Sequence, residues 1–368
     1  MAFAVAQLEA LVKRAALDAG FDLAGIAPVQ PEQMPELEFF PGWIASGYGG
    51  EMQYLEARDE RGELKRAALY RVAPWARSVV VCALNYNTAQ PYSTEFNDPR
   101  RGWISRYAWG GAGKPADYHD LVMERLRRVE ARLREAASDR NLQTRCYVDT
   151  GPLVERVYAK YAGIGWMGKN TCIINQQVGS WLFLGVLLTS LELAPDLPAP
   201  DRCGSCTRCI EACPTDAIMA PYQLDATRCI SYLTIEKRGE IPEELRTGIG
   251  QHVFGCDICQ DVCPWNRKAP ASALSEFQPR TELLNPALEW LATISDEDFR
   301  WQFRGSAVRR AKRSGLRRNA VVAMGNSGDV SFIPLLQTLL DDPDEMVAEH
   351  ARWALGKLQE AERVEESH

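Results

Sequence analysis

Eight of the eleven cysteines in this 368-residue chain fall into a pattern that can hold metal. The run Cys203-Gly-Ser-Cys206-Thr-Arg-Cys209-Ile-Glu-Ala-Cys213-Pro214 has the spacing C-x2-C-x2-C-x3-C-P. Three thiolates separated by two residues each can wrap one corner of a cubane. The fourth, set back by three and followed by proline, points toward a second cluster. A second run, Cys256-Asp-Ile-Cys259-Gln-Asp-Val-Cys263-Pro264, lacks its first cysteine, which Cys229 upstream can supply. A crossed arrangement then uses every ligand. One [4Fe–4S] cluster takes Cys203, Cys206, Cys209 and Cys263; the other takes Cys213, Cys229, Cys256 and Cys259. Two structural zinc sites are the competing reading. Zinc does not require two such runs with matching Cys-Pro ends, and those ends favour iron–sulfur. Paired clusters relay electrons one at a time, so the rest of the chain is expected to hold what receives them.

The length allows two or three domains with ample core. A hydrophobic content of 46% and a charged content of 25% are ordinary for a soluble protein, and the net charge of −7 argues against a chain basic throughout. The remaining cysteines, Cys82, Cys146 and Cys172, read as buried inert thiols. This cysteine usage suits a reducing, cytoplasmic compartment. Met1 to Ala10 shows no basic n-region, apolar signal core or twin arginine, and no run approaches the roughly 20 apolar residues of a membrane span.

Helices and strands alternate through 1–190. Helical periodicity over 3–19 ends at Gly20; Phe21–Ala27, Val79–Asn85, Arg145–Asp149 and Gly179–Leu188 read as strands. The continuous apolar run Val79–Asn85 predicts a buried central strand. Tyr118–Ala137 is a strongly periodic helix, and Pro152 suits the first turn of another. Residues 87–117 form a long aromatic-rich loop, a length that is usually functional or disordered. The fold class is α+β, with an N-terminal α/β part around a central sheet (1–195), a ferredoxin-like two-cluster part (196–275) and a helical part (276–368). In the last, Arg317–Gly325 aligns with Ala348–Gly356 at a period of 31, which suggests a HEAT-like repeat; a plain helical hairpin is the simpler alternative.

Outside the cysteines, Asp149 ends a strand beside a glycine, at the sheet edge where ligands gather; capping the following helix is the structural alternative. Gly163-Ile-Gly-Trp-Met-Gly168 matches a dinucleotide fingerprint in letters but precedes a strand. It reads instead as a turn that lets backbone approach a large flat ligand. Arg309, Arg310, Lys312, Arg313, Arg317 and Arg318 put six cations within ten residues of a net acidic chain, an electrostatic footprint for a phosphate backbone. The four histidines show no ligand spacing.

Taken together, Tyr147–Arg156, Gly163–Thr171, Gly179–Gly185, Arg228–Glu236 and Gly255–Asn266 resemble the epoxyqueuosine reductase family over most of the chain. The resemblance implies a cobalamin-dependent enzyme related to reductive dehalogenases. Such an enzyme reduces the epoxide of epoxyqueuosine at the wobble position (34) of tRNA to the alkene of queuosine, the last step of that pathway. It implies base-off cobalamin over a flat sheet, two [4Fe–4S] clusters that reduce its cobalt, a tRNA anticodon stem-loop as partner and a flavodoxin- or ferredoxin-type electron donor. Asp149 matches the family's proton donor. Since a free Asp ionises near 3.9, it is expected to be buried, unpaired with Arg and raised in pKa. Cobalamin contacts are expected at Arg58, Tyr107, Asp149, Asn170, Ser180, Ser231 and Lys237. The chain departs from relatives at the Gly110–Ala116 insertion with Lys114, and at Val186, where relatives often carry Glu. A monomer is expected. The rival readings are a reductive dehalogenase, which would carry a twin-arginine signal and no basic helical tail, and a plain electron carrier, which leaves the large α/β part without a purpose.

Overall fold

The computed structural model describes residues 5–111, 117–137 and 141–366. Four strands, β1 (Leu23–Ala27), β2 (Ser78–Asn85), β3 (Thr144–Tyr147) and β4 (Leu182–Thr189), form one sheet in the order β1-β2-β4-β3 with every pair antiparallel. The pairing of β2 with β4 runs unbroken from Ser78 opposite Thr189 to Asn85 opposite Leu182. Every residue of β2 is buried. Val80, Cys82 and Leu84 pack under helices Val5–Asp18 and Tyr118–Ala137. Val79, Val81 and Ala83 face the opposite layer, which includes helix Glu155–Tyr161. A strand covered on both faces has no polar side, so its apolar run is continuous although the sheet is antiparallel. Val186 lies fully buried in this second layer and takes no part in the cavity described below.

The helix after β3 begins at Glu155, three residues beyond Pro152. The reason is the turn at Asp149, which adopts a left-handed backbone (φ 57°) and delays helix entry. The glycines of the 163–168 turn serve the fold. A Cβ at Gly165 would lie 2.3 Å from the Ile174 carbonyl oxygen, and one at Gly168 would lie 2.5 Å from Ile174 Cδ1. They permit the tight pairing of Trp166–Met167 with Ile173–Ile174, a turn whose Trp166 and Met167 also line the large cavity described below.

The aromatic-rich loop is largely built into the molecule. Trp103 and Ile104 pair in parallel with His252–Phe254, and Trp103 and Trp109 are buried among Leu288, Leu316 and Ala351 of the helical part. The stretch of the insertion from 112 to 116, with Lys114, lies outside the described residues. The two repeat segments fall in helices Lys312–Ser327 and Glu345–Glu366, with Ile333–Leu339 between them. The long helices meet closely: a Cβ on Gly325 would lie 2.8 Å from Ala354 Cα. Among the described residues no helix is long and apolar enough to cross a membrane.

Candidate active site

The cysteines come together in two quartets. Cys203, Cys206, Cys209 and Cys263 line a cavity of about 400 Å³. Its loop is pinned by buried Lys169, whose Nζ donates to the carbonyls of Gly204 (2.7 Å) and Cys206 (2.9 Å). Cys213, Cys229, Cys256 and Cys259 open into a second cavity of about 1910 Å³. Four thiols around each space are the donor set a cubane needs, so the residues fit the implied clusters. Among the described residues no three His, Cys, Asp or Glu side chains gather as they would around a single metal ion. Cys172 lies on the wall of the larger cavity with Cys259, so it is not sealed away as the sequence suggests. Cys82, by contrast, is sealed in the sheet core, and burial pushes it up to about 12.

The larger cavity exceeds the roughly 300–1,000 Å³ of ordinary ligand pockets, which leaves room for a macrocycle and a nucleotide together. Asp149 stands on its wall with Tyr107, Asn170 and Ser231. Tyr107 meets Tyr118 edge to face, and Tyr118 stacks on Phe183 at 4.3 Å, so this wall, continued by Leu182 and Leu184 of β4, is aromatic and aliphatic. Asn170 donates from Nδ2 to the Cys259 carbonyl at 3.2 Å, tying this wall to the second quartet. These features fit a corrin ring.

Three of the expected cobalamin contacts lie off this wall. Arg58 is exposed and donates to the Gly62 carbonyl at 2.8 Å. Ser180 is buried, donating to Gln260 Oε1 and accepting from Asn266 Nδ2. Lys237 is held by Glu51 at 2.5 Å. Each is already satisfied by a protein partner.

Asp149 departs from expectation in its protonation. No arginine pairs with it among the described residues, but its side chain is 57% exposed into the cavity. His119 Nε2 lies 3.6 Å from Oδ2, and Tyr118 donates to the same oxygen at 3.0 Å. His119 first, then Tyr118, outweigh burial and hold Asp149 down at about 2, so it is ionised at neutral pH. The proton resides next door. Burial works against a charged His119, but Asp117 at 2.8 Å and Asp149 prevail and push it up to about 9. Sequence reasoning missed His119 because it asked only about metal spacing; Asp117-Tyr118-His119 at the entry of a helix was the available signal.

The basic cluster divides. Arg309, Arg310 and Lys312 line the cavity, and Arg310 also pairs with Glu236 at 2.5 Å. Arg313, Arg317 and Arg318 do not reach the cavity wall, which corrects their assignment to a phosphate footprint. Arg313 donates to the Ile294 carbonyl at 2.7 Å and lies 3.8 Å from Asp296. Arg317 is buried against Asp342. Arg318 is fully buried and donates to the carbonyls of Leu233, Lys237 and Gly239. Consecutive residues on a helix point to different sides, and these three serve packing.

Two family models match the chain. The one described as epoxyqueuosine reductase QueG, DUF1730, covers residues 66–150, and the one described as a 4Fe-4S double cluster binding domain covers residues 202–266. Epoxyqueuosine reductase of Synechocystis sp. is 44% identical over 80% of this chain and 98% of that protein. The Vibrio cholerae enzyme is 39% identical over 95% and 91%. Among solved structures, an epoxyqueuosine reductase with an epoxyqueuosine-modified tRNA-Tyr stem loop superposes with a TM-score of 0.84 at 34% identity, covering 96% of this chain and 91% of that one. Another, from Bacillus subtilis, has an aspartate-bearing catalytic loop swung out of its active site (TM-score 0.85, 32% identity, the same coverage). The two cysteine quartets, the cavity that the second of them shares with Asp149 and these likenesses agree: this chain belongs to the epoxyqueuosine reductase family.

Proposed function

We propose that the chain reduces the epoxide of epoxyqueuosine in the anticodon stem-loop of tRNA to the alkene of queuosine, taking electrons from a flavodoxin- or ferredoxin-type donor. The observation that carries this is one cavity shared by Asp149, the quartet Cys213, Cys229, Cys256 and Cys259, and the cations Arg309 and Lys312. The two quartets would hold two [4Fe–4S] clusters. Tyr107, Asn170 and Ser231 would line a base-off cobalamin. Together these groups, when bound, supply strongly reducing electrons to the epoxide carbon.

The chain's own residues do the rest. The apolar wall around Tyr118 and Phe183 excludes water. Arg309 and Lys312 attract phosphates at the cavity. Opening the epoxide leaves charge on oxygen, which needs a proton. His119 holds that proton at Nε2, facing Asp149, and Asp149 relays it to the oxygen. Asp149 is thus the catalytic carboxylate, with His119 as its proton store.

The division into a cobalamin-binding part (1–195), a two-cluster part (196–275) and a HEAT-like tRNA-binding part (276–368), a monomeric state and a cytoplasmic location complete the reading. Feeding reconstituted protein an epoxyqueuosine-bearing stem-loop, cobalamin and a low-potential reductant, then analysing nucleosides by mass spectrometry, tests it. Queuosine is the expected product; epoxyqueuosine left intact contradicts the reading.

A further inference from the structure

We infer that Glu155 is a further proton donor to the cavity, supplying the second of the two protons the reduction consumes. This rests on the reading above. An epoxide becoming an alkene takes up two electrons and two protons. Both carbon–oxygen bonds break, the carbon–carbon double bond forms, and the oxygen leaves as water. The external donor supplies the electrons. His119 and Asp149 hold one transferable proton, so the balance needs another.

Glu155 lines the same cavity from the first residue of helix Glu155–Tyr161. Its Oε1 has essentially no exposed surface and no hydrogen-bond partner. An ionised carboxylate in that position would be desolvated with only a contact to its own backbone amide in partial compensation, which favours the neutral acid. The charges and titratable groups facing it come from four places. Ionised Asp149, on the turn after β3, repels a negative charge. Arg66 and Arg156 attract one, but both are engaged elsewhere. Arg66 donates to the Leu153 carbonyl at 2.8 Å, and Arg156 donates to the Thr171 carbonyl at 3.1 Å. Tyr158, on the same helix, has a buried hydroxyl without a partner. Burial dominates, and the carboxyl is pushed up to about 8. Glu155 therefore keeps its proton at neutral pH in a cavity whose other nearby carboxylate has lost its own.

Glu155→Gln keeps the size and the neutral hydrogen-bonding character but cannot release a proton; Glu155→Asp retains a transferable one. With the cofactor-loaded enzyme and an epoxyqueuosine stem-loop, kcat of Glu155→Gln should fall about 100-fold with KM and iron content unchanged. Glu155→Asp should recover part of the rate. A separate readout needs no turnover: an infrared band of a protonated carboxyl that titrates near 8 should be present in wild type and absent in Glu155→Gln, distinct from any band of Asp261, which burial raises to about 7. A kcat within twofold of wild type, or no such band in wild type, overturns the proposal. A wild type that makes no queuosine overturns the functional reading and this proposal with it, whereas normal wild-type turnover with an unaffected Gln variant overturns this proposal alone.

Discussion

Replacing Asp149 by Asn should lower the pKa of His119 by more than one unit. The histidine is raised from 6.5 to about 9. At 1.36 kcal/mol per unit, that corresponds to about 3 kcal/mol favouring the imidazolium. Two carboxylates supply it against burial: Asp117 Oδ1 at 2.8 Å from Nδ1 and Asp149 Oδ2 at 3.6 Å from Nε2. With an effective dielectric of about 20, a unit pair at 3.6 Å is worth up to about 4–5 kcal/mol before screening. Losing Asp149 while burial persists should therefore remove a large part of the rise. NMR titration of the histidine rings is the assay. His252 and His350 are both lowered by burial, so among the described histidines only His119 should titrate on the alkaline side. The sign follows from the direction of the shift. Stabilisation from the raised His119 is fully present below about 6.5 and is lost as pH rises through about 9. A wild-type His119 titrating near 6.5, or one unmoved by Asp149→Asn, would refute the pairing and with it the proton store.

Further outcomes test other parts of the account. Asp149→Ala should abolish turnover while leaving both clusters and bound cobalamin intact, as judged by iron content and absorption spectra. Cys263→Ala should remove only the cluster of the smaller cavity, taking iron from about eight to about four atoms per chain. Arg309→Ala and Lys312→Ala should each weaken stem-loop binding and reduce the slope of log affinity against log salt by about 1. Arg318→Met should instead leave that slope unchanged and destabilise the fold by about 3 kcal/mol, since it strips partners from the buried carbonyls of Leu233, Lys237 and Gly239. A shifted denaturant midpoint would show this.

Legibility followed the range of the interactions. The cysteine quartets could be read because ligand geometry fixes sequence spacing, and β2 because burial on both faces leaves polar residues only at its two ends, Ser78 and Asn85. The protonation of Asp149 could not be read. It depends on His119, which lies 30 residues earlier on another element and meets Asp149 only once Tyr118–Ala137 packs on the sheet. The basic cluster misled for a related reason. Charge along a sequence does not say which side of a helix meets carbonyls, and three of those cations serve packing. Pro152 marked a helix start that the left-handed turn at Asp149 postponed. Glu155 gave no signal because a protonated carboxyl is spelled like any other.

The central claim is that one cavity joins an electron supply to a proton supply. A single-turnover experiment with the loaded enzyme, reduced beforehand and mixed with epoxyqueuosine stem-loop across a pH series, tests it most directly. The account predicts one queuosine formed per two electrons delivered, with a rate that falls as pH rises through about 8–9, where Glu155 and His119 lose their protons. A rate independent of pH across that range, or oxidation of the enzyme without queuosine, would contradict it.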